Sequence, residues 1–289
     1  MFWQTTRFCI DLSRPRVMGI VNVTPDSFSD GGRFFDTGAA LAHCDRLVAD
    51  GADLLDIGGE STRPGAVAPS LEDESDRVLP VLRHAVTLGV PVSLDSSQPA
   101  LMQRALDLGV DIVNDVRALQ RPGALATVAA YPRAGVCLMH MRGEPSGMQA
   151  DPSFEDVAGE VGEFLACRLA AAVAAGIEAE RIVLDPGIGF GKTAAHNLAL
   201  LARQGELAAL GRPLLVGWSR KSTLGVLTGR AVADRLAASV AAALAAVANG
   251  ASIVRVHDVA ATVDALKVWS AAFGAPASWP APANNCSQA

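Results

Sequence analysis

Cysteine is scarce and poorly placed for cross-linking: the 289 residues include five Cys, at positions 9, 44, 137, 167 and 286. No two form a C-x-x-C pair or another zinc-ligand spacing, and an odd number does not make a disulfide framework. A reducing, cytoplasmic setting is the simplest expectation. Excess positive charge is missing as well. Lys and Arg number 24 against 30 Asp and Glu, a formal net charge of -6. A nucleic-acid-binding surface is therefore not expected, although a local anion site stays compatible. The N-terminus lacks a basic region followed by an apolar core, so no signal peptide is read. The Ala-rich runs near 166–175 and 237–248 are too short and small to span a bilayer, so no membrane partner is expected either.

What the chain does have is hydrophobic content, 50% of its residues, enough for a large core in one domain. Its organising stretch is Met18 to Gly32. Val17, Met18, Ile20, Val21 and Val23 make a nearly continuous apolar run, as in a parallel strand covered on both faces. The run ends in a polar loop containing Asn22, Thr24, Asp26, Ser27, Ser29 and Asp30. Similar strands are read at 53–58, 90–95, 111–115, 136–140, 181–185, 213–217 and 252–257. Helical spacing is read over 41–48 and 154–173, from Ser70, a capping-box start, from Pro99 to 108, and over about 121–130, 231–248 and 259–272. Pro80 is expected to kink or split its helix. Eight strands alternating with helices predict a single-domain α/β fold, a (β/α)8 TIM barrel; a doubly wound sheet is the alternative. Residues 1–13 read as a lead-in or short hairpin closing the barrel floor, 14–272 as the barrel and 273–289 as a flexible tail.

In a barrel all eight strand ends share one rim. They supply Asn22, Thr62 with Arg63, Asp95, Asn114 with Asp115, His140, Asp185, Lys221, and Arg255 with His257. Taken singly, Asp or Asn at a strand end is usually a cap or turn; eight in register are harder to explain that way. Arg63, Lys221, Arg255 and His257 are cationic or can become so, and suit phosphate. Asp95, Asn114 and Asp185 suit the amide and amino edges of a flat heterocycle. Asn22 offers a hard carbonyl oxygen compatible with Mg²⁺ shared with a substrate phosphate. Together they suggest a polyphosphate ester joined to a heterocycle. Gly187 to Thr193 resembles a phosphate-binding P-loop but has Pro186 where that loop needs Gly, and the glycines miss a dinucleotide fingerprint. His43, His84 and His196 read as surface residues; His140 reads equally as a rim or a packed histidine. Ser219 and Ser222 have no base evident in the sequence, which disfavours serine catalysis.

At these residues the chain resembles the dihydropteroate synthases of bacterial folate synthesis. The motifs are N-V-T-P-D-S-F-S-D-G-G at 22–32, G-G-E-S-T-R-P-G at 58–65, Asp95, N-D at 114–115, L-M-H-M at 138–141, D-P-G-I-G-F-G-K at 185–192, S-R-K-S at 219–222 and R-V-H-D at 255–258. The resemblance implies condensation of 6-hydroxymethyl-7,8-dihydropterin diphosphate with 4-aminobenzoate to give 7,8-dihydropteroate and diphosphate. It implies Asn22 as the Mg²⁺ ligand and Asp95, Asn114, Asp185 and Lys221 as the pterin pocket. Arg255 and His257 would bind diphosphate, and Thr62 and Arg63 would lie on a mobile loop. Phe28, Arg63, Pro64, Phe190 and Ser222 would line the aminobenzoate pocket, which implies competition by sulfonamides. Two departures stand out. The family commonly has Asp-Thr-Ser-Lys where this chain has Asp95-Ser-Ser-Gln98, and Trp218 is bulkier than expected and would alter its loop. A pterin-dependent methyltransferase domain on the same barrel would not explain the diphosphate cluster. A non-catalytic binding paralogue would be expected to have lost Asn22, Arg255 or His257. A homodimer through the 231–248 and 259–272 helices is expected.

Overall fold

The computed structural model describes residues 1–24, 37–61, 69–145 and 147–273. Two short antiparallel strands, β1 (Phe2–Gln4) and β2 (Cys9–Asp11), form the expected hairpin. Eight parallel strands follow: β3 (Arg16–Asn22), β4 (Leu54–Gly58), β5 (Val92–Asp95), β6 (Ile112–Asp115), β7 (Gly135–Met139), β8 (Ile182–Asp185), β9 (Leu215–Val216) and β10 (Ile253–Val256). Their order is β8-β7-β6-β5-β4-β3-β10-β9. A single bridge, Leu184 to Leu214, joins β8 to the lead into β9 and nearly closes the ring. Helices α1 (Thr37–Ala49), α2 (Leu71–Ala85), α3 (Pro99–Asp107), α4 (Ala124–Ala129), α5 (Val157–Ala174), α6 (Ala194–Ala202), α7 (Gln204–Ala208), α8 (Ser222–Thr228), α9 (Leu236–Ala248) and α10 (Val259–Phe273) run outside it. This is the (β/α)8 barrel. None of the described helices is long and apolar enough to cross a membrane.

Side chains alternate across a strand with period two, and that alternation divides the core. Met18, Leu54, Ile112, Cys137, Val183, Leu215 and Ile253 form one layer across the barrel, closed from below by Trp3, Phe8, Ile10 and Leu12 of the hairpin. Their chain neighbours Val17, Leu55, Val113, Val136, Ile182, Val216 and Val254 belong to the shell shared with the helices. Trp3 is fully buried and donates its indole N–H to the Arg181 carbonyl (2.9 Å). The Arg181 guanidinium in turn donates to the carbonyls of Ala134 and Tyr131 (both 2.8 Å), so the floor's buried cation is satisfied without an anion.

Two helix expectations need correction. Helix α2 runs unsplit through Pro80. The carbonyl that the missing N–H would have bonded belongs to exposed Asp76, on the solvent side, while Val78, Val81, Leu82 and Ala85 are buried. The Ala-rich helix begins at Leu236 rather than 231, after a 3-10 turn over Val232–Asp234. Arg235 interrupts it because its side chain turns back to the carbonyls of Arg220 and Arg230 (both 3.1 Å).

Candidate active site

Two residues beyond the floor layer, the same strand faces become polar. Asp56 follows Leu54, Asn114 follows Ile112, Asp185 follows Val183 and Arg255 follows Ile253; Asp95 follows Ser93, the register partner of Ile112. One step higher stand Asn22 and His257. The barrel floor is thus apolar and its upper lumen ionic.

A continuous hydrogen-bonded chain crosses that lumen. Arg255 donates Nε–H to Asp56 (2.6 Å) and an Nη2–H to Asp95 (2.8 Å), and Asn114 donates Nδ2–H to Asp56 (3.1 Å). Sequence reasoning missed Asp56. It lies in the middle of its strand rather than at the end, and its only signal was sharing the parity of Leu54 and Gly58. Gly58 itself leaves room for Asp95, whose Cβ would lie 3.1 Å from a Cβ built there. Buried Asp56 Oδ1 and Asn114 Oδ1 have no hydrogen-bond partner among the described residues. Two unpartnered buried acceptors side by side fit a ligand that presents N–H groups.

The charges perturb one another. Asp95 is pushed up from the usual carboxylate range, by burial first and then by Asp56, with the Arg255 guanidinium opposing. Burial acts to lower Arg255, but Asp56 and Asp95 outweigh it and hold the guanidinium charged. Asp185 is raised to about 6 by burial, against the Gly187 N–H that donates to it (2.7 Å) and the nearby Lys221 cation. Lys221 is lowered to about 8, by burial and by Arg255. Its ammonium sits over the Phe190 ring, 4.2 Å from the centroid.

His257, which the sequence leaves able to be a cation, is neutral in this setting. Burial, then Arg255, push it down to about 3. Ser219 Oγ accepts the backbone N–H of His257 (3.1 Å) and sits 3.0 Å from its Nδ1. With the hydroxyl proton turned onto Nδ1, Nε2 keeps the ring proton and is a neutral donor at the rim. Ser219 therefore has a histidine partner that the sequence did not reveal, but one that it positions rather than one that activates it. Among the described rim residues the cations reduce to Arg255 and Lys221, with Lys192 behind them.

Lys192 was also missed, hidden in the rejected P-loop match. It is 3% exposed, and its Nζ lies 2.8 Å from His140 Nδ1 and 2.9 Å from the Gly187 carbonyl. His140 is a buried partner of that lysine, its ring edge-on to Phe164. Asp115 lies behind the rim: it accepts from Ser97 (2.5 Å) and from the backbone N–H groups of Arg117 and Leu119 (both 2.8 Å). Gln98 donates to buried Glu74 (2.7 Å), whose carboxyl burial raises. Trp218 packs into the helix-facing core at 2% exposure. His84 pairs with Asp45 (2.8 Å), and His196 joins Thr193 in the cap of α6.

Ser222 opens α8 and is exposed, one residue from Lys221. Thr62, Arg63, Pro64 and Phe28 lie outside the described residues, as do most of the loops at 24–38 and 59–69 and the tail from 274. No cluster of three or more His, Cys, Asp or Glu able to hold a metal occurs among the described residues. Asn22 is a half-buried neutral oxygen at the end of β3, paired in register with Gly58. That donor fits a Mg²⁺ ion whose other ligands are phosphate oxygens and water, not a protein-caged one.

The chain matches the family of pterin binding enzymes over residues 18–257. It is 56% identical over 275 residues to a dihydropteroate synthase of Neisseria meningitidis serogroup B, covering 93% of this chain and 96% of that one. A Xanthomonas albilineans dihydropteroate synthase solved with 4-aminobenzoic acid superposes with a TM-score of 0.87 at 50% identity, covering 94% of this chain and 100% of that one. A Yersinia pestis dihydropteroate synthase solved with a sulfonamide drug gives 0.90 at 46% identity, covering 94% and 99%.

Proposed function

This chain belongs to the pterin-binding enzymes, among the dihydropteroate synthases, and we propose from that premise how its own side chains carry the reaction. It condenses 6-hydroxymethyl-7,8-dihydropterin diphosphate with 4-aminobenzoate, giving 7,8-dihydropteroate and diphosphate. The observation that carries the residue assignment is the lumen chain Asp95–Arg255–Asp56–Asn114 with Asp185 beside it. Its open acceptors suit the N–H groups on the edge of a pterin ring, and its guanidinium supports a role in binding the diphosphate.

In this reading Asp185, Asn114 and Asp95 hold the pterin edge. Lys221 lies between that edge and the ring of Phe190. Arg255, Lys221 and the neutral Nε2–H of His257 bind the diphosphate, with Thr62 and Arg63 contributing from their loop. As the C–O bond to diphosphate breaks, charge grows on the leaving oxygens, and fixed donors stabilise it. Asn22 would hold the Mg²⁺, which supplies further charge neutralisation for the leaving group. The methylene left behind is electron-poor and is stabilised by its ring with Asp95 and Asp185 nearby. The amine of aminobenzoate attacks it and releases one proton to solvent. Phe190, Ser222, Phe28, Arg63 and Pro64 would form the aminobenzoate pocket, where a sulfonamide competes. No covalent enzyme intermediate is needed. The order is dissociative; diphosphate release that waits strictly on 4-aminobenzoate would contradict it.

The test is diphosphate release by the purified protein with pterin diphosphate and Mg²⁺, with and without 4-aminobenzoate. Dihydropteroate made only when aminobenzoate is present supports the transferase; tight binding without release would favour a non-catalytic paralogue. The small, odd number of cysteines, with no paired spacing, supports a cytoplasmic location. A homodimer is proposed through the face that exposes Val226 (72%), Val232 (57%) and Val268 (71%).

A further inference from the structure

Lysine is used sparingly in this chain: its only lysines are Lys192, Lys221 and Lys267. Lys267 lies on the exposed side of α10 with Asp264, and arginine supplies every other permanent cation. Lys192 is placed unlike either of the others. Its Nζ meets His140 Nδ1 at 2.8 Å, the carbonyl of Gly187 at 2.9 Å, that of Phe190 at 3.1 Å and that of His140 at 3.3 Å. No carboxylate is among these partners. An ammonium has three N–H donors and a neutral amine two with a lone pair, so only the charged form can donate to three of these four neutral acceptors at once. Arginine's planar fork could not converge on acceptors grouped around one point.

Two of the four acceptors, the carbonyls of Gly187 and Phe190, belong to the loop that shapes the site; the other two belong to His140, just past β7. Gly187 donates its N–H to Asp185 (2.7 Å), and Phe190 carries the ring under the Lys221 ammonium (4.2 Å). The loop has no slack: at Gly187, φ +68°, an added Cβ would lie 1.9 Å from the His140 carbonyl oxygen. We propose that the Lys192–His140 couple is a positioning unit that fixes the 187–190 loop, and through Phe190 and Lys221 the aminobenzoate side of the site. Lys192 touches no substrate in this arrangement. The proposal rests on the residue roles assigned above.

The couple is sensitive to pH in a defined direction. Burial lowers Lys192 to about 7; Asp185 opposes this, and Lys221 and Arg142 add to it. His140 is pushed down to about 3 by burial and by Lys192, so its ring stays neutral across the working range, and facing an ammonium its Nδ1 is the acceptor. As pH rises through about 7, the ammonium loses its third donor and the loop loosens.

The test pairs His140→Leu, which removes the Nδ1 acceptor, with His140→Asn, whose Oδ1 falls where Nδ1 was. Steady-state kinetics are run across pH, with thermal melting to establish that each variant folds. The expected result for His140→Leu is a KM for 4-aminobenzoate raised about tenfold or more with kcat within about threefold. The alkaline fall in kcat/KM should begin at lower pH, and His140→Asn should restore both. Labelled-lysine NMR follows Lys192 directly, assigned by Lys192→Arg. It should titrate below Lys267, and lower still in His140→Leu. Folded His140→Leu with unchanged KM and pH profile would overturn the proposal, as would His140→Asn failing equally. The lysine titration needs no turnover. An inactive wild type with a depressed, His140-dependent Lys192 would therefore sink the residue roles and leave the couple standing.

Discussion

Asp56 is the residue on which the site's charge depends. Being fully buried, it neutralises one side of Arg255 while orienting Asn114. Removing one member of a buried ion pair strands the other and costs about 3–5 kcal/mol. Asp56→Asn is therefore expected to lower kcat/KM for the pterin diphosphate by about a hundredfold or more and to lower the melting temperature; steady-state kinetics and calorimetry check both. Asp185 sets a second expectation. Raised to about 6 by burial, it accepts N–H groups as a carboxylate only above that pH. Activity as kcat/KM should fall as pH drops through about 6, and the limb should vanish in Asp185→Asn, whose residual activity is low. The stability sign is opposite. A carboxyl whose folded pKa is raised contributes most below its unfolded value near 3.8, and that contribution is lost as pH rises through about 6. Denaturant titrations at pH 4.5 and 7.5, compared with Asp185→Asn, separate the two effects. A site that is most active where its carboxyl is least comfortable is what preorganised binding requires.

At the scale of elements, the strands decide direction and the loops decide reach. Each barrel strand turns one face to the helices and one to the lumen, and the lumen face changes from apolar to ionic within two residues. The β8–α6 loop then folds across β7 with almost no clearance: a Cβ at Gly191 would come 2.3 Å from the Arg142 carbonyl oxygen. Gly187→Ala combines a positive φ with a direct backbone clash, so it is expected to destabilise by about 3 kcal/mol or more. It should also raise the KM for aminobenzoate before it affects Mg²⁺ dependence. Gly211→Ala is the control. It shares a positive φ of +73° but meets nothing within 4 Å, and should cost about 1 kcal/mol by backbone strain alone. Chemical denaturation of the three proteins checks the ranking.

For the molecule as a whole, the hairpin plug and the outer helices set the remaining properties. Trp3 seals the lumen floor, so every polar group of the lumen opens toward the rim. The apolar residues exposed on α8, on the turn before α9 and on α10 are the proposed dimer face. Val226→Glu with Val268→Glu is expected to halve the mass measured by light scattering after gel filtration. Catalysis at high protein concentration should survive, because the ionic lumen lies within one barrel. A wild type that is already monomeric would refute that interface.

The sequence by itself determined the barrel and most of its rim. Strand and helix periods are local properties, and a polar residue at the end of an apolar run is visible without coordinates. Asn22, Asp95, Asn114, Asp185 and Arg255 were legible for that reason. Asp56 and Lys192 were not. One sits inside an apolar strand and the other inside a glycine-rich loop, and each gains meaning only from partners 199 and 52 residues away in the chain. The tertiary structure alone decided protonation. His257 can be a cation or neutral by its sequence and is held neutral by burial and by Arg255, and Ser219 acquires its histidine only because β9 and β10 are neighbours. Residue type states which charges a group can carry. The local dielectric and the neighbouring charges, which exist only once the barrel has closed, select the one it does carry.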